Sequence, residues 1–243
     1  MKSNIMKWAL PAFALTALLT GEADARRLPG TTSYGARLGY NNMSLNGKGF
    51  AEAAALNGGD ALPEKKMDHN YGGATGSLFI SHDVNVNRMC VGVEGYLSGS
   101  NVDTGRITHV VDTEASAFTT VKKDYTAGVR LKLGHYVKND VMFYVSMGGE
   151  VSRFKIDHTD NTTVTSTIDT AGGLSKSKTL YAWVPGVGMK WKFHNSWCCH
   201  VDATYAMYSS FSQEASGGTT GYRYNLGIRP TVLGLTVGFS RPC

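Results

Sequence analysis

The stretch Tyr125-Thr126-Ala127-Gly128-Val129-Arg130-Leu131-Lys132-Leu133-Gly134 alternates without a break. Tyr125, Ala127, Val129, Leu131 and Leu133 share one face, and Thr126, Gly128, Arg130, Lys132 and Gly134 share the other. A period of two is the mark of a β-strand, because successive side chains point to opposite sides of the chain. One face of this strand wants an apolar surrounding, while the other carries glycine and full charges. A soluble sandwich would turn the apolar face to a core. A membrane barrel turns it to lipid and fills the lumen with the polar face.

The same division recurs along the chain. Pro185, Val187, Met189, Trp191 and Phe193 oppose Gly186, Gly188, Lys190 and Lys192. Val201, Ala203, Tyr205 and Met207 oppose His200, Asp202 and Thr204, and Leu233, Leu235, Val237 and Phe239 alternate with Gly234, Thr236 and Gly238. Small residues that leave room for a few long charged ones suit the interior of a narrow barrel. The pattern predicts eight strands, at 32–42, 71–81, 89–99, 117–136, 141–155, 179–194, 196–210 and 222–240. Leu78-Phe79-Ile80 interrupts the alternation of the second, and Pro230 in the eighth points to a bulge or a late strand start. The links 81–88, 135–140 and 193–197 are short and polar, whereas 43–70, 98–116, 155–178 and 211–221 are longer and rich in Gly, Ser, Thr, Asn and Asp. Short links at one end and long ones at the other match periplasmic turns and extracellular loops. The expected fold is all-β, an eight-stranded antiparallel up-and-down transmembrane β-barrel.

Bulk properties agree with an exported β protein. Glycine (29) and tyrosine (12) are abundant and proline (6) is sparse among 243 residues, which favours long antiparallel strands. Lys2 and Lys7 precede the apolar run Trp8–Thr20, and Ala23-Asp24-Ala25 is an A-x-A cleavage pattern. Residues 1–25 are therefore read as a signal peptide and 26–243 as the barrel domain. The apolar run is shorter than the roughly 20 residues of a membrane-spanning helix. The net charge of +5 comes from scattered Lys and Arg without the clusters of a phosphate-binding face, so no nucleic-acid partner is expected.

The chain resembles the opacity-type, OmpA-like family of outer-membrane barrels. The residues that carry the likeness are Tyr34-Gly35-Ala36-Arg37-Leu38-Gly39-Tyr40, Val91-Gly92-Val93-Glu94-Gly95-Tyr96, the Tyr125–Gly134 stretch and Phe143-Tyr144-Val145-Ser146-Met147-Gly148-Gly149. Val184-Pro185-Gly186-Val187-Gly188-Met189 and Leu235-Thr236-Val237-Gly238-Phe239 complete it. The resemblance implies a bacterial outer-membrane location and a non-enzymatic surface role, as structural barrel, adhesin or surface antigen.

Arg37, Glu94, Arg130, Lys132, Glu150, Lys190, Lys192 and Asp202 all fall on the predicted inner face. An eight-stranded lumen is about wide enough for side chains and not for a solute channel. Unpaired buried charge is costly, so a mutually paired network that rigidifies the lumen is the expected state rather than a catalytic set. Cys90, Cys198, Cys199 and Cys243 map to the turn end. Because the last two strands are antiparallel neighbours, Cys243 is expected to reach Cys199 or Cys198. Cross-linking to another envelope protein and unpaired thiols are the alternatives. No metal or cofactor is expected, since the seven histidines lack ligand spacing and no H-E-x-x-H is present. A lipid-modifying barrel enzyme is the first alternative function, though no G-x-S-x-G elbow occurs. A soluble lipocalin-like barrel with apolar residues around a cavity is the second. Partners are expected to be outer-membrane lipid and an environmental or host ligand met through loops 43–70 and 155–178.

Overall fold

The computed structural model describes residues 30–52, 65–105, 107–112, 115–162, 174–193, 197–216 and 223–242. Among the described residues there are ten strands: β1 (Gly30–Glu52), β2 (Lys65–Val86), β3 (Met89–Ser100), β4 (Ile107–Asp112), β5 (Ala115–Lys138), β6 (Val141–Thr162), β7 (Leu174–Phe193), β8 (Trp197–Tyr208), β9 (Phe211–Ser216) and β10 (Arg223–Pro242). They form one sheet in the order β1-β2-β3-β5-β6-β7-β8-β10, and β10 returns to β1 with Tyr34 opposite Arg241 and Glu52 opposite Arg223. These eight strands thus close into an antiparallel barrel.

The ten strands make eight staves. β4 continues the stave of β3 along β5: Gly99 faces Tyr125, Asp103 bridges to Lys122, and Ile107 faces Thr119. β9 continues β8 along β10 in the same way, with Met207 opposite Thr231 and Phe211 opposite Ile228. At the turn end, Val86 pairs Met89 and Lys138 pairs Val141, which leaves two-residue turns. Asn87 takes a positive φ of 57° there, a conformation its short polar side chain tolerates in tight hairpins.

The exterior carries the apolar face. Leu38, Leu78, Leu97, Leu131, Val145, Val187 and Leu235 all project outward and are exposed. On β5 the run from Tyr125 to Leu133 spans nine residues, the length a tilted strand needs to cross a bilayer, about 9–11. Tyr40, Tyr125, Tyr181, Trp183 and Tyr205 girdle its loop-side edge, and Trp191, Phe193, Trp197 and Phe239 its turn-side edge. This orientation is the reverse of a lipocalin-like barrel and corrects that alternative.

Above the tyrosine girdle the polarity inverts while the period stays two. Outward positions become Asn42, Asn46, Lys122, Arg153 and Lys155, all exposed. Inward positions become Met43, Leu45, Val121, Phe154, Ile156, Leu180 and Ile228, all essentially excluded from solvent. They pack with Val102, Tyr208, Phe211 and Val232 into one apolar core inside the loop-side half of the barrel. The barrel therefore has two storeys: one with lipid outside and charge inside, the other with water outside and oil inside.

This second storey corrects the expected loops. Residues 43–52 and 65–70 belong to β1 and β2, and 155–162 and 174–178 to β6 and β7. The link 98–116 contains β4 and 211–221 contains β9. Of the two expected ligand loops, 53–64 and 163–173 lie outside the described residues. Pro230 neither bulges nor delays β10. It sits opposite Leu45, in the interval where β10 passes from β9 to β8 as neighbour, so a missing N–H there interrupts no ladder on that side. Phe79 keeps the alternation of β2: it points inward, between exposed Leu78 and Ile80.

The two-storey barrel predicts a position-dependent response to charge. Leu131→Arg, in mid-belt, should lower stability in lipid vesicles by about 2–4 kcal/mol. Asn42→Lys, above the girdle, should stay within about 0.5 kcal/mol of the parent. Phe154→Ala should cost about 3–5 kcal/mol as an ordinary core truncation. Urea unfolding of the refolded chain followed by tryptophan fluorescence measures all three.

Candidate functional site in the barrel lumen

The inward positions of the lower storey bring charges from seven staves together. Glu94 on β3 is fully buried and is the centre of the set. Arg37 on β1 donates to it in fork geometry, Nη1 to Oε1 at 2.7 Å and Nη2 to Oε2 at 2.5 Å. Arg130 on β5 donates through Nε at 2.7 Å, and Lys132, two residues along, lies 3.3 Å away. Asp202 on β8 faces the same guanidinium groups, 3.1 Å from Arg37 Nε and 3.7 Å from Arg130 Nη2, and accepts from the Tyr144 hydroxyl at 2.5 Å. Charge-assisted, bidentate bonds of this kind are the strong ones, and low dielectric strengthens them further.

Two smaller groups flank the centre. Toward the turn end, Asp83 on β2 lies between Lys132 (3.4 Å) and Lys190 on β7 (2.8 Å). Toward the loop end, Glu150 on β6 accepts from Tyr96 at 2.6 Å and from Tyr208, and pairs with Lys123 at 3.5 Å. Ser152 shares hydrogen bonds with Tyr208 (2.8 Å) and Thr126 (2.6 Å) at the base of the apolar core.

Aromatic rings line the same lumen. The Arg37 guanidinium lies 3.7 Å over the Phe79 ring, which explains an apolar side chain at an inward position. Tyr96 lies across the stave opposite, directly over Gly128, and Tyr144 over Gly188. A Cβ at either glycine would enter the tyrosine ring, so both phenols reach Glu150 and Asp202 only because those positions are bare.

Of the eight residues expected in the lumen, seven converge: Arg37, Glu94, Arg130, Lys132, Glu150, Lys190 and Asp202. Lys192 does not, and this is a correction. It shares the inward parity of β7 but lies exposed at the turn-end rim, beyond the reach of the lumen carboxylates. Asp83 and Lys123 are the members that sequence reasoning missed. Asp83 sits in a segment read as a link. Lys123 follows Val121 inward because a β-bulge between Lys123 and Thr126 shifts the parity of β5, and strict alternation assigned it outward.

The remaining polar groups sit at the turn end. His200 is fully buried, its Nε2 sharing a hydrogen bond with Ser240 Oγ at 2.6 Å and its ring edge-on to Phe79. Its Nδ1 meets no hydrogen-bond partner among the described residues, so nothing there orients the imidazole as a base toward Ser240. Cys90 and Cys198 face inward, Cys199 lies opposite Phe239, and among the described residues no disulfide joins the three. Cys243, their expected partner, lies outside the described residues. Among the described residues no group of His, Cys, Asp and Glu has the arrangement to hold a metal ion.

No protein-family model and no curated protein matches this chain. Several solved structures resemble it loosely. The attachment invasion locus protein Ail of Yersinia pestis, in complex with the heparin analogue sucrose octasulfate, gives a TM-score of 0.33 at 13% identity, covering 84% of this chain and 98% of that one. The outer membrane protease OmpT of Escherichia coli gives 0.42 at 11% identity, covering 91% and 99%. The outer membrane protein OprG of Pseudomonas aeruginosa gives 0.43 at 11% identity, covering 86% and 95%. The barrel rests on its own strand pairing and polarity.

Removing the central anion should be costly. Glu94→Gln leaves Arg37 and Arg130 facing each other in a low-dielectric lumen, and should lower unfolding stability by about 3–5 kcal/mol. Asp202→Asn should cost less, because both guanidinium groups keep Glu94. The double variant Glu94→Gln/Arg130→Met should be less destabilised than the sum of its singles, a coupling measurable by urea unfolding in vesicles.

Proposed function

We propose that this chain is a non-enzymatic bacterial outer-membrane surface protein. On this reading it is exported by cleavage of residues 1–25, and its barrel is sealed. It acts by presenting its loop-side storey to an environmental or host partner met through 43–70 and 155–178. The observation that supports this most is the filling of the lumen. Ion pairs occupy the lower storey from Asp83 to Glu150, and an apolar core occupies the upper one from Val121 to Ile228. An eight-stave barrel has little interior to spare, and here side chains use it for mutual contact. The closed ring of apolar outward positions supports residence in lipid. Among the described residues His200 Nδ1 has no partner, which argues against the buried His200–Ser240 contact as a hydrolytic pair. A bond from Cys243 to Cys199 or Cys198, tying the tail to β8, belongs to the same reading.

Cell fractionation and planar-bilayer recording test it together. The chain should appear in the outer-membrane fraction, migrate faster on a gel before boiling than after, and show no stable conductance steps in a bilayer. A soluble periplasmic band without a mobility shift would overturn the membrane reading. Steady open-channel steps from the refolded parent would overturn the sealed barrel.

A further inference from the structure

Above the girdle the ring of staves opens along two seams. Among the described residues β9 pairs with β10 alone, and β4 with β5 alone. β7 pairs with β8 only as far up as Ala182 opposite Tyr208, and the bond from Ser209 N to Tyr181 O (2.8 Å) closes that ladder. On the far side, β2 leaves β3 at Thr75 opposite Ser100, where Asn101 N donates to Ala74 O at 3.1 Å. The upper storey is therefore two four-stranded sheets, β4-β5-β6-β7 and β9-β10-β1-β2, packed around the apolar core. The two seams are finished differently. At β2 the link 101–105 lies against Gly73, where a Cβ would meet the Val102 backbone at 2.8 Å, and it covers the base of the gap. At β7 no strand among the described residues lies along the edge. Residues 175–179 are exposed on both faces, including Lys176 and Lys178 of inward parity.

From this edge we infer that residues 175–179 of β7 are a docking site for an extended acidic peptide of a partner protein, which adds to the sheet as a further strand. Backbone direction carries the first half of the argument. Alternate residues of an antiparallel strand point their N–H and C=O groups to opposite edges. Tyr181 O points toward the β8 side, and the β6–β7 register runs without a shift from Leu174 to Trp191. Ser175, Ser177 and Thr179 therefore turn both backbone groups to the open edge, while Lys176 and Lys178 turn theirs to β6. A row of such groups is a template for another strand, and main-chain bonds then supply the affinity. Charge selects the occupant. Lys176 and Lys178 stand two residues apart on one face, with no ion-pair partner among the described residues. Asp157, opposite Ser175 in the ladder, belongs to the other face. Lys178 Nζ lies 5.5 Å from the Phe211 ring of β9, which holds it at the seam. Lysines on an edge repel a second copy of that edge. A strand with carboxylates at alternate positions converts the same repulsion into cross-strand pairs. The inference rests on the surface reading above and names the class of partner that segment 155–178 meets.

The probe is a labelled peptide of about ten residues alternating Glu and Thr, which places every carboxylate on one face of a strand. A Lys–Thr peptide of the same length is the comparison. Fluorescence anisotropy with the full chain refolded in detergent should show binding of the Glu peptide and not of the Lys peptide. Opposite charges facing each other across a ladder contribute up to about fivefold each, so Lys176→Gln/Lys178→Gln should weaken binding on the order of tenfold. Ser177→Pro removes an N–H from the open edge and none from the β6 ladder, and should weaken binding about fivefold or more. Ser177→Ala, which loses only the hydroxyl that Arg153 contacts, should bind as the parent does. Amide exchange at Ser175, Ser177 and Thr179 should be fast in the free chain and slow with the Glu peptide bound. A heat-dependent gel shift in each variant establishes that the barrel is intact. A parent that shifts on heating but binds both peptides alike, or neither, overturns the docking site alone. Edge amides already protected in the free chain, by a second copy or by its own segments, overturn it too. A parent that neither shifts nor reaches the outer membrane overturns the surface reading and this inference with it.

Discussion

A carboxylate with no access to water sits at the middle of this protein, and the fold is arranged around keeping it charged. Glu94 meets Arg37 from the first stave and Arg130 and Lys132 from the fourth, while Asp202 on the seventh balances the excess cation. Desolvating these groups singly would be costly, so they are tolerable only as a set. A set drawn from distant staves also fixes how those staves face one another across the lumen. The Tyr–Gly contacts serve the same end, since bare glycines let Tyr96 and Tyr144 reach across to the outer members of the network.

A second constraint is that one continuous sheet stands in two solvents. Below the girdle lipid surrounds it, so apolar side chains face out and charge is enclosed. Above the girdle water surrounds it, so the hydrophobic effect acts in its usual direction and Met43, Leu45, Phe154 and Ile156 turn inward. The backbone passes the boundary with little adjustment. On β5 a single bulge next to Tyr125 makes the change of parity, and on β1 the side chains exchange character with no bulge in the ladder to β10. The core of the upper storey then closes the lumen from the loop side, as the ion pairs close it from the other.

Much of the lower storey was legible residue by residue. Arg130 and Lys132 between Val129, Leu131 and Leu133 already state which side is lumen, because period two is a local property. The upper storey was less legible for a specific reason. Segments such as Met43-Ser44-Leu45-Asn46 and Phe154-Lys155-Ile156-Asp157 keep the same period, but with polar residues outward their composition is that of a loop. The signal was present as an inverted alternation, and only polarity, not periodicity, argued against strand.

The sequence alone determined the period, the number of staves, and the fact that charge would be enclosed, since each follows from neighbours along the chain and from the need to pair buried charge. It did not determine which charge meets which. That Lys190 reaches Asp83, that Lys123 turns in to Glu150, and that Lys192 is left at the rim depend on closure of β10 onto β1 and on one bulge in β5. These are properties of the ring as a whole. Only when the last strand returns to the first do side chains far apart in sequence share one narrow lumen, and only then is their pairing decided.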